Sequence, residues 1–247
     1  MSSSITSPLD EAREKLADQM TLLGHLEELR DRLVVSAIAV GVCTVISAAF
    51  TPWILRFLNS FLPGEDGKLI TLAPTEGIAV YFRVALTAGL VLAMPVLVYQ
   101  LLMFILPGLE ENEKRYVFWG VPAATLLFLI GVSFAVFILL PTAINFLWFF
   151  QQEFFAANWQ SRLYIPFITS ITFWIGVSFE TPLIIFIMAK LDIVTPRFLL
   201  KQWRFAVVII AIAAAMITPT VDPFNMALVM LPLFALYGLS ILLSYLA

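Results

Sequence analysis

His25-Leu26-Glu27-Glu28-Leu29-Arg30-Asp31-Arg32 runs directly into an apolar stretch from Leu33 to Ile54, and the reading of this junction decides the fold. As a helix, Leu22, Leu26, Leu29 and Leu33 recur at four- and three-residue steps and form one apolar stripe. The charges crowd the remaining surface. Such density stands out in a chain with 13% charged residues, and the other charges are best placed in relation to it. The apolar run beyond it reads as a first membrane span.

Composition extends this reading to the whole chain. Of 247 residues, 61% are hydrophobic, with a mean hydropathy of +0.97, whereas a soluble domain is about 45–50% apolar. A core of this size cannot hide the excess, so most of the surface is expected to face lipid, in an all-α polytopic membrane protein. The net charge of -3, with no basic stripe, gives no sign of a nucleic-acid partner. A single cysteine, Cys43, and a single histidine, His25, leave no disulfide framework and none of the usual zinc or haem ligand sets. Met1 to Asp18 is polar and mildly acidic, without the basic-then-apolar order of a cleavable signal.

Six spans fit the pattern, at about residues 33–54, 77–106, 114–140, 163–190, 203–217 and 224–246, in one transmembrane domain (21–247) after a polar tail (1–20). Thr21 is a candidate cap for the first helix, and Pro63-Gly64 and Asp66-Gly67 mark turns in the first loop. The second span, at ~1.5 Å per residue, reaches ~45 Å against a ~30 Å hydrocarbon core, so it tilts, kinks at Pro95 or projects. Pro141 to Trp159 is aromatic-rich and reads as an interfacial helix or loop rather than another crossing. Thr195-Pro196 is a helix start, with Thr as N-cap and Pro at the first position. The fifth span is short, with uninterrupted apolar sequence only from Phe205 to Ile217.

Lys and Arg set the expected orientation. The tail and the second and fourth loops hold Arg13, Lys15, Arg30, Arg32, Lys114, Arg115, Lys190, Arg197, Lys201 and Arg204; the other side holds Arg56, Lys68, Arg83 and Arg162. Ten against four puts both termini in the cytoplasm. The opening motif and Glu110-Glu111-Asn112-Glu113 then share the cytoplasmic face. Separated carboxylates on one face suit a ligand with two adjacent arginines, because a planar guanidinium takes a carboxylate through two parallel hydrogen bonds. Phe104, before Pro107, offers an apolar or cation–π surface beside them. The plainer reading is self-satisfaction: Glu28 and Arg32 form an i,i+4 pair, and acids opening the third span suit its helix dipole.

Glu180 lies ten residues before Lys190, ~15 Å from the cytoplasmic end of its span, so it sits near the bilayer middle. Thr169, Thr172, Gly176 and Glu180 share a stripe expected to face a cavity, water or a partner. The plainer alternative is a protonated Glu bonded between helices, with Pro182 loosening the helix beside it. Asp222-Pro223 on the far side is explained by helix capping alone. No phosphate-binding loop, nucleophile elbow or metal-ligand set is present in the sequence, so neither a cofactor nor an enzymatic role is expected.

Five motifs in order give the chain a resemblance. They are the stretch His25 to Arg32, Tyr99-Gln100 with Phe104-Ile105-Leu106-Pro107-Gly108-Leu109, and Asn112-Glu113-Lys114-Arg115; then Gly176-Val177-Ser178-Phe179-Glu180-Thr181-Pro182 and Ile217-Thr218-Pro219-Thr220-Val221-Asp222-Pro223. Together, along nearly the full length, they resemble the TatC family, the multispanning receptor component of the twin-arginine protein translocase. The resemblance implies a cupped six-helix bundle with short fifth and sixth spans. It implies recognition of twin-arginine signal peptides on folded precursors, with Glu28 and Glu113 at the arginines and Phe104 and Arg30 nearby. Glu180 matches the family's buried glutamate and Asp222 its far-side acid. Single-span TatA/TatB-type partners, a multimeric complex in the lipid of the cell's inner (plasma) membrane and use of the proton-motive force are implied likewise. The sequence departs from the family in lacking a proline before Pro63, where Asn59-Ser60-Phe61-Leu62 stands, and in ending without the usual charged tail. A proton-coupled small-molecule transporter with Glu180 as relay is the alternative, although no repeat relates the two halves.

Overall fold

In lipid a backbone that cannot bond to water must bond to itself, and helices account for nearly all of this chain. The computed structural model describes residues 8–62, 69–105, 114–150, 158–218 and 222–246. Helix α1 (Pro8–Asn59) is continuous through the charged motif and the first span. It starts at Pro8, so Thr21 is not its cap and much of the expected tail is helical. Proline at a first helical position, with Asp10 and Glu11 in the following turn, explains the earlier start. Helix α2 (Glu76–Ile105) passes through Pro95 without interruption.

The third span's helix does not end at Leu140. Helix α3 (Lys114–Phe134) continues through a π turn, Ala135–Leu139, into α4 (Leu140–Phe149). Pro141 has no N–H for an α ladder, and the wider turn, with Leu140 N–H bonded to Ala135 O, lets the helix run on past it. The first part of the aromatic segment is therefore an extension of this crossing; residues 151–157 lie outside the described ones.

Helices α5 (Ser161–Ser178) and α6 (Thr181–Lys190) form the fourth crossing, broken at Phe179-Glu180 just before Pro182. Helix α7 (Pro196–Lys201) starts as its sequence dictates, the Thr195 hydroxyl accepting from Phe198 N. Helices α8 (Trp203–Ile217) and α9 (Pro223–Ser244) complete the chain. Five helical runs are long and apolar enough to cross a membrane, and the 15-residue α8 is shorter. At ~22 Å it falls short of a ~30 Å core. The fifth and sixth crossings, of 15 and 22 residues, are both shorter than the four before them.

Helix α1 packs chiefly on α2 at one edge, α2 and α3 pack on α5, α6 packs on α9, and α8 lies on α9. Phe128, Leu140, Ile144, Ile165 and Ile168 are fully buried at the centre. Tyrosine hydroxyls donate to backbone carbonyls at three places in the bundle. Pro52 inside α1 cannot donate to Ala48 O, and the Tyr81 hydroxyl of α2 donates there instead. Tyr164 caps Leu58 O near the end of α1 at 2.9 Å, and Tyr237 caps Leu199 O of α7 at 2.7 Å.

The α1–α2 seam is close enough to require glycine at position 89. A Cβ there would lie 2.6 Å from Thr44 Cα and 2.7 Å from Thr44 N. Backbone approach of this kind is how small residues hold helices together in lipid. Gly89→Ala is expected to destabilise the detergent-solubilised protein by about 1–3 kcal/mol, read as a lower thermal unfolding midpoint. Gly41→Ala, with open space around it, is the control and should leave the midpoint level or raise it. Equal behaviour of the two variants would refute the close seam.

Candidate functional site

Antiparallel packing brings residues 25–32 of α1 against the end of α2, and five polar or aromatic side chains meet there. Arg32 Nε donates to Glu28 Oε1 at 3.0 Å, Nη2 donates to the same oxygen, and Nη1 donates to Gln100 Oε1 at 3.3 Å. The second Glu28 oxygen lies 3.9 Å from His25 Nδ1. The His25 ring in turn stacks on Phe104, with centroids 4.3 Å apart and planes 21° from parallel. Glu28 and Arg32 are half-buried, at 29% and 21% side-chain exposure. Of the leucine stripe, Leu26 and Leu33 are exposed and Leu29 is half-buried, while the charged pair Glu28 and Arg32 turns toward α2.

The other charges of the motif stand apart from this cluster. Arg30 is exposed and bonds to its neighbour Asp31, at 2.9 Å from Nε and 2.7 Å from Nη2. Glu27 is exposed. Glu113 lies outside the described residues. The arginine at Glu28 is thus Arg32, not Arg30. His25 and Gln100 are members that composition did not single out, although both stand in the quoted motifs; their contact depends on the α1–α2 register, which no local pattern encodes.

Glu180 is buried at the turn between α5 and α6, and its Oε1 has no hydrogen-bond partner among the described residues. The polar stripe behind it divides. Thr169 and Thr172 line an apolar groove, while Gly176 packs against Phe128 and Val132 of α3. Asp222 is the N-cap of α9: Oδ1 accepts from Asn225 N at 2.7 Å and Oδ2 from Asn225 Nδ2 at 2.9 Å, with Pro223 at the first helical position.

A second polar cluster, at the far end of α2, was not foreseen. Glu76 is buried, and both its oxygens are filled. Oε1 accepts from Ser161 Oγ at 2.7 Å and Arg162 N at 2.8 Å; Oε2 accepts from Leu72 N at 2.9 Å, Gln160 Nε2 at 3.1 Å and Ala73 N at 3.3 Å. A parallel bridge between Ile70 and Gln160 lies beside it. One carboxylate thereby fastens the loop before α2 to the start of α5. The sequence signal was present, since an acid in the first turn of a helix caps its amides, but the three partners from α5's start lie more than eighty residues away.

The comparisons with known proteins agree with one another. Residues 24–232 match the family model described as "Sec-independent protein translocase protein (TatC)". The chain is 38% identical over 221 residues to the Sec-independent protein translocase protein TatC of Helicobacter pylori, covering 89% of this chain and 85% of that one. It is 34% identical over 238 residues to the chloroplastic TATC of Arabidopsis thaliana, covering 96% and 70%. A crystal structure of the twin-arginine translocase receptor TatC superposes with a TM-score of 0.81 at 33% identity, over 90% of this chain and 98% of that one.

The Glu76 latch makes a direct prediction. Glu76→Ala leaves several buried donors unpaired and is expected to cost about 3–5 kcal/mol, since each hydrogen bond to a charged group is worth roughly 1.5–3 kcal/mol and neighbouring losses overlap. Glu76→Gln should be nearly as damaging, because its amide group points N–H at N–H. Thermal unfolding and hydrogen exchange over residues 69–76 measure both; a Gln variant with wild-type protection would show that the charge is not needed.

Proposed function

The chain belongs to the TatC family of Sec-independent protein translocase proteins, and we propose that it is the membrane receptor for twin-arginine signal peptides. The excess of Lys and Arg on the N-terminal side supports an orientation with both termini cytoplasmic, in the cell's inner membrane. The carrying observation is Glu28, a half-buried carboxylate already gripped by a guanidinium at the mouth of the α1–α2 seam. A site that holds Arg32 in this way has the geometry to hold an arginine from a ligand.

In this reading a signal-peptide arginine exchanges with Arg32 at Glu28. Arg32 keeps Gln100 as a hydrogen-bond partner when it yields. The stacked His25–Phe104 pair supplies an apolar wall for the incoming methylenes and a face for its guanidinium. Glu113 is the second carboxylate of the proposal, assigned from sequence. Glu180 is the intramembrane polar group left for a translocating or partner segment, and Asp222 secures the start of α9. Folded precursors, single-span TatA/TatB-type proteins and the proton-motive force complete the proposed multimeric machine, to which this chain contributes binding and assembly. The family assignment decides against the small-molecule transporter.

Crosslinking of a twin-arginine peptide to the protein in membrane vesicles tests this. Glu28→Gln and Glu113→Gln should each weaken capture by roughly tenfold, the worth of one charged hydrogen bond, with normal accumulation of the protein. Undiminished capture by the double variant would sink the two-carboxylate model. Arg32→Gln removes the internal competitor and should strengthen capture; a loss as large as that of Glu28→Gln would instead make Arg32 part of the receptor.

A further inference from the structure

Arg83 is a charge that the fold leaves exposed along a membrane-crossing helix. It lies seven residues along α2 from Glu76, about 10 Å by helical rise. With α2 longer than the hydrocarbon core, that depth is close to where lipid phosphates meet acyl chains. Arg83 Nε donates to Thr169 Oγ1 at 3.3 Å and Nη2 to Ser170 Oγ at 3.2 Å, both on α5. No carboxylate pairs with it among the described residues. Glu76, on the same side of α2, has both oxygens filled by other donors. Two neutral hydroxyls aim a guanidinium without neutralising it, and a cation at this depth ordinarily finds an anion.

An apolar groove of about 430 Å³ begins beside it, between α1, α2 and α5. Thr169, which holds Arg83, also lines this groove, and its α2 wall starts at Val84 and runs to Leu92, toward the membrane middle. Phe57 and Ile168 supply further apolar wall. A cation at the mouth and a hydrocarbon trough leading inward are complementary to one kind of molecule. We infer that Arg83, Thr169 and this groove bind a phospholipid of the leaflet opposite the N-terminus, its phosphate on the guanidinium and an acyl chain along the groove.

Guanidinium matches phosphate through paired N–H bonds, and Arg83 has unused donors for it. A carboxylate-bearing helix is the competing occupant. Phe50, Trp53, Leu58, Val91 and Leu92 keep the groove apolar along its length with a cation at its mouth, the pattern that a phosphate headgroup and its acyl chain complement. The lipid site stands apart from the receptor proposal and survives its failure.

Native mass spectrometry of the delipidated protein, incubated with dioleoylphosphatidylglycerol or dioleoylglycerol, tests it. One phospholipid per chain should be retained, and dioleoylglycerol, which lacks the phosphate, should not. Arg83→Gln should cut retention about tenfold, Arg83→Lys should keep most of it, and Ala88→Trp should lower it by filling the groove while leaving Arg83 in place. Size-exclusion profiles establish that each variant is folded. Equal retention by wild type and Arg83→Gln, or equal retention of dioleoylglycerol, overturns the site. So does a photo-crosslinker at Thr172 that captures a protein and no lipid in native membranes.

Discussion

An unpaired carbonyl in hydrocarbon has no water to fall back on, and this constraint shapes the molecule more than any apolar contact does. Proline sits inside α1, α2, α3, α5 and α9, and each proline frees a carbonyl one turn earlier. In α1 the answer comes from outside the helix, as Tyr81 takes the carbonyl that Pro52 releases. At Pro141 it comes from inside, by widening the ladder to a π turn. Tyr164 answers the same need near the end of α1, and Tyr237 adds a second donor to Leu199 O of α7. Because the partners sit on neighbouring helices, satisfying the backbone also fixes which helices meet and at what height. The hydrophobic effect cannot do this between helices already surrounded by lipid.

Charges obey the same rule at greater cost, and the chain resolves three of them differently. Glu28 is paired within its own helix and half-buried. Glu76 is buried with no cation paired to it among the described residues, stabilised by five donors that converge on it. Arg83 is oriented by two hydroxyls, with no carboxylate paired to it among the described residues. The first arrangement can trade one guanidinium for another, the second is rigid because every lone pair is committed, and the third calls for an outside anion. Exchange, fastening and capture are thus three outcomes of one requirement, and they occur along the two faces of α2.

Much of this was legible in the sequence, and the exceptions share a cause. Apolar runs revealed the crossings, and the dipeptides Thr195-Pro196 and Asp222-Pro223 revealed helix starts, because those signals are local. The pairing of Glu28 with Arg32 was legible for the same reason. The early start of α1 at Pro8 and the extension of α4 past Pro141 were misread, since polarity and proline argue against helix until dipole and π-turn geometry are considered. The contacts of Gln100 with Arg32, of His25 with Phe104 and of Glu76 with the start of α5 were out of reach: each joins segments far apart in sequence, and its existence depends on how the helices pack. Composition also put the leucine stripe and the charged face of the opening motif on equal terms; only packing shows that Glu28 and Arg32 turn toward α2 while Leu26 and Leu33 face outward.

That orientation follows from where α1 sits. It is the most weakly enclosed crossing, with 6% of its apolar window buried, and it touches the bundle chiefly through α2. A helix so placed cannot hold a carboxylate to within a fraction of an ångström by burial. It must be pinned along its length, and two contacts do so: Gly89 admits the Thr44 backbone near the middle of the seam, and Tyr81 binds Ala48 one turn further along. Arg32 bonded to Gln100 is the third point on this line, at the membrane edge. The proposed receptor group therefore inherits its position from a seam whose other fixings lie far from any ligand. Leu26 and Leu33 remain exposed at the same time. A receptor that must grip a peptide on one face of a helix and leave the other open to lipid or a neighbouring chain is served by this division.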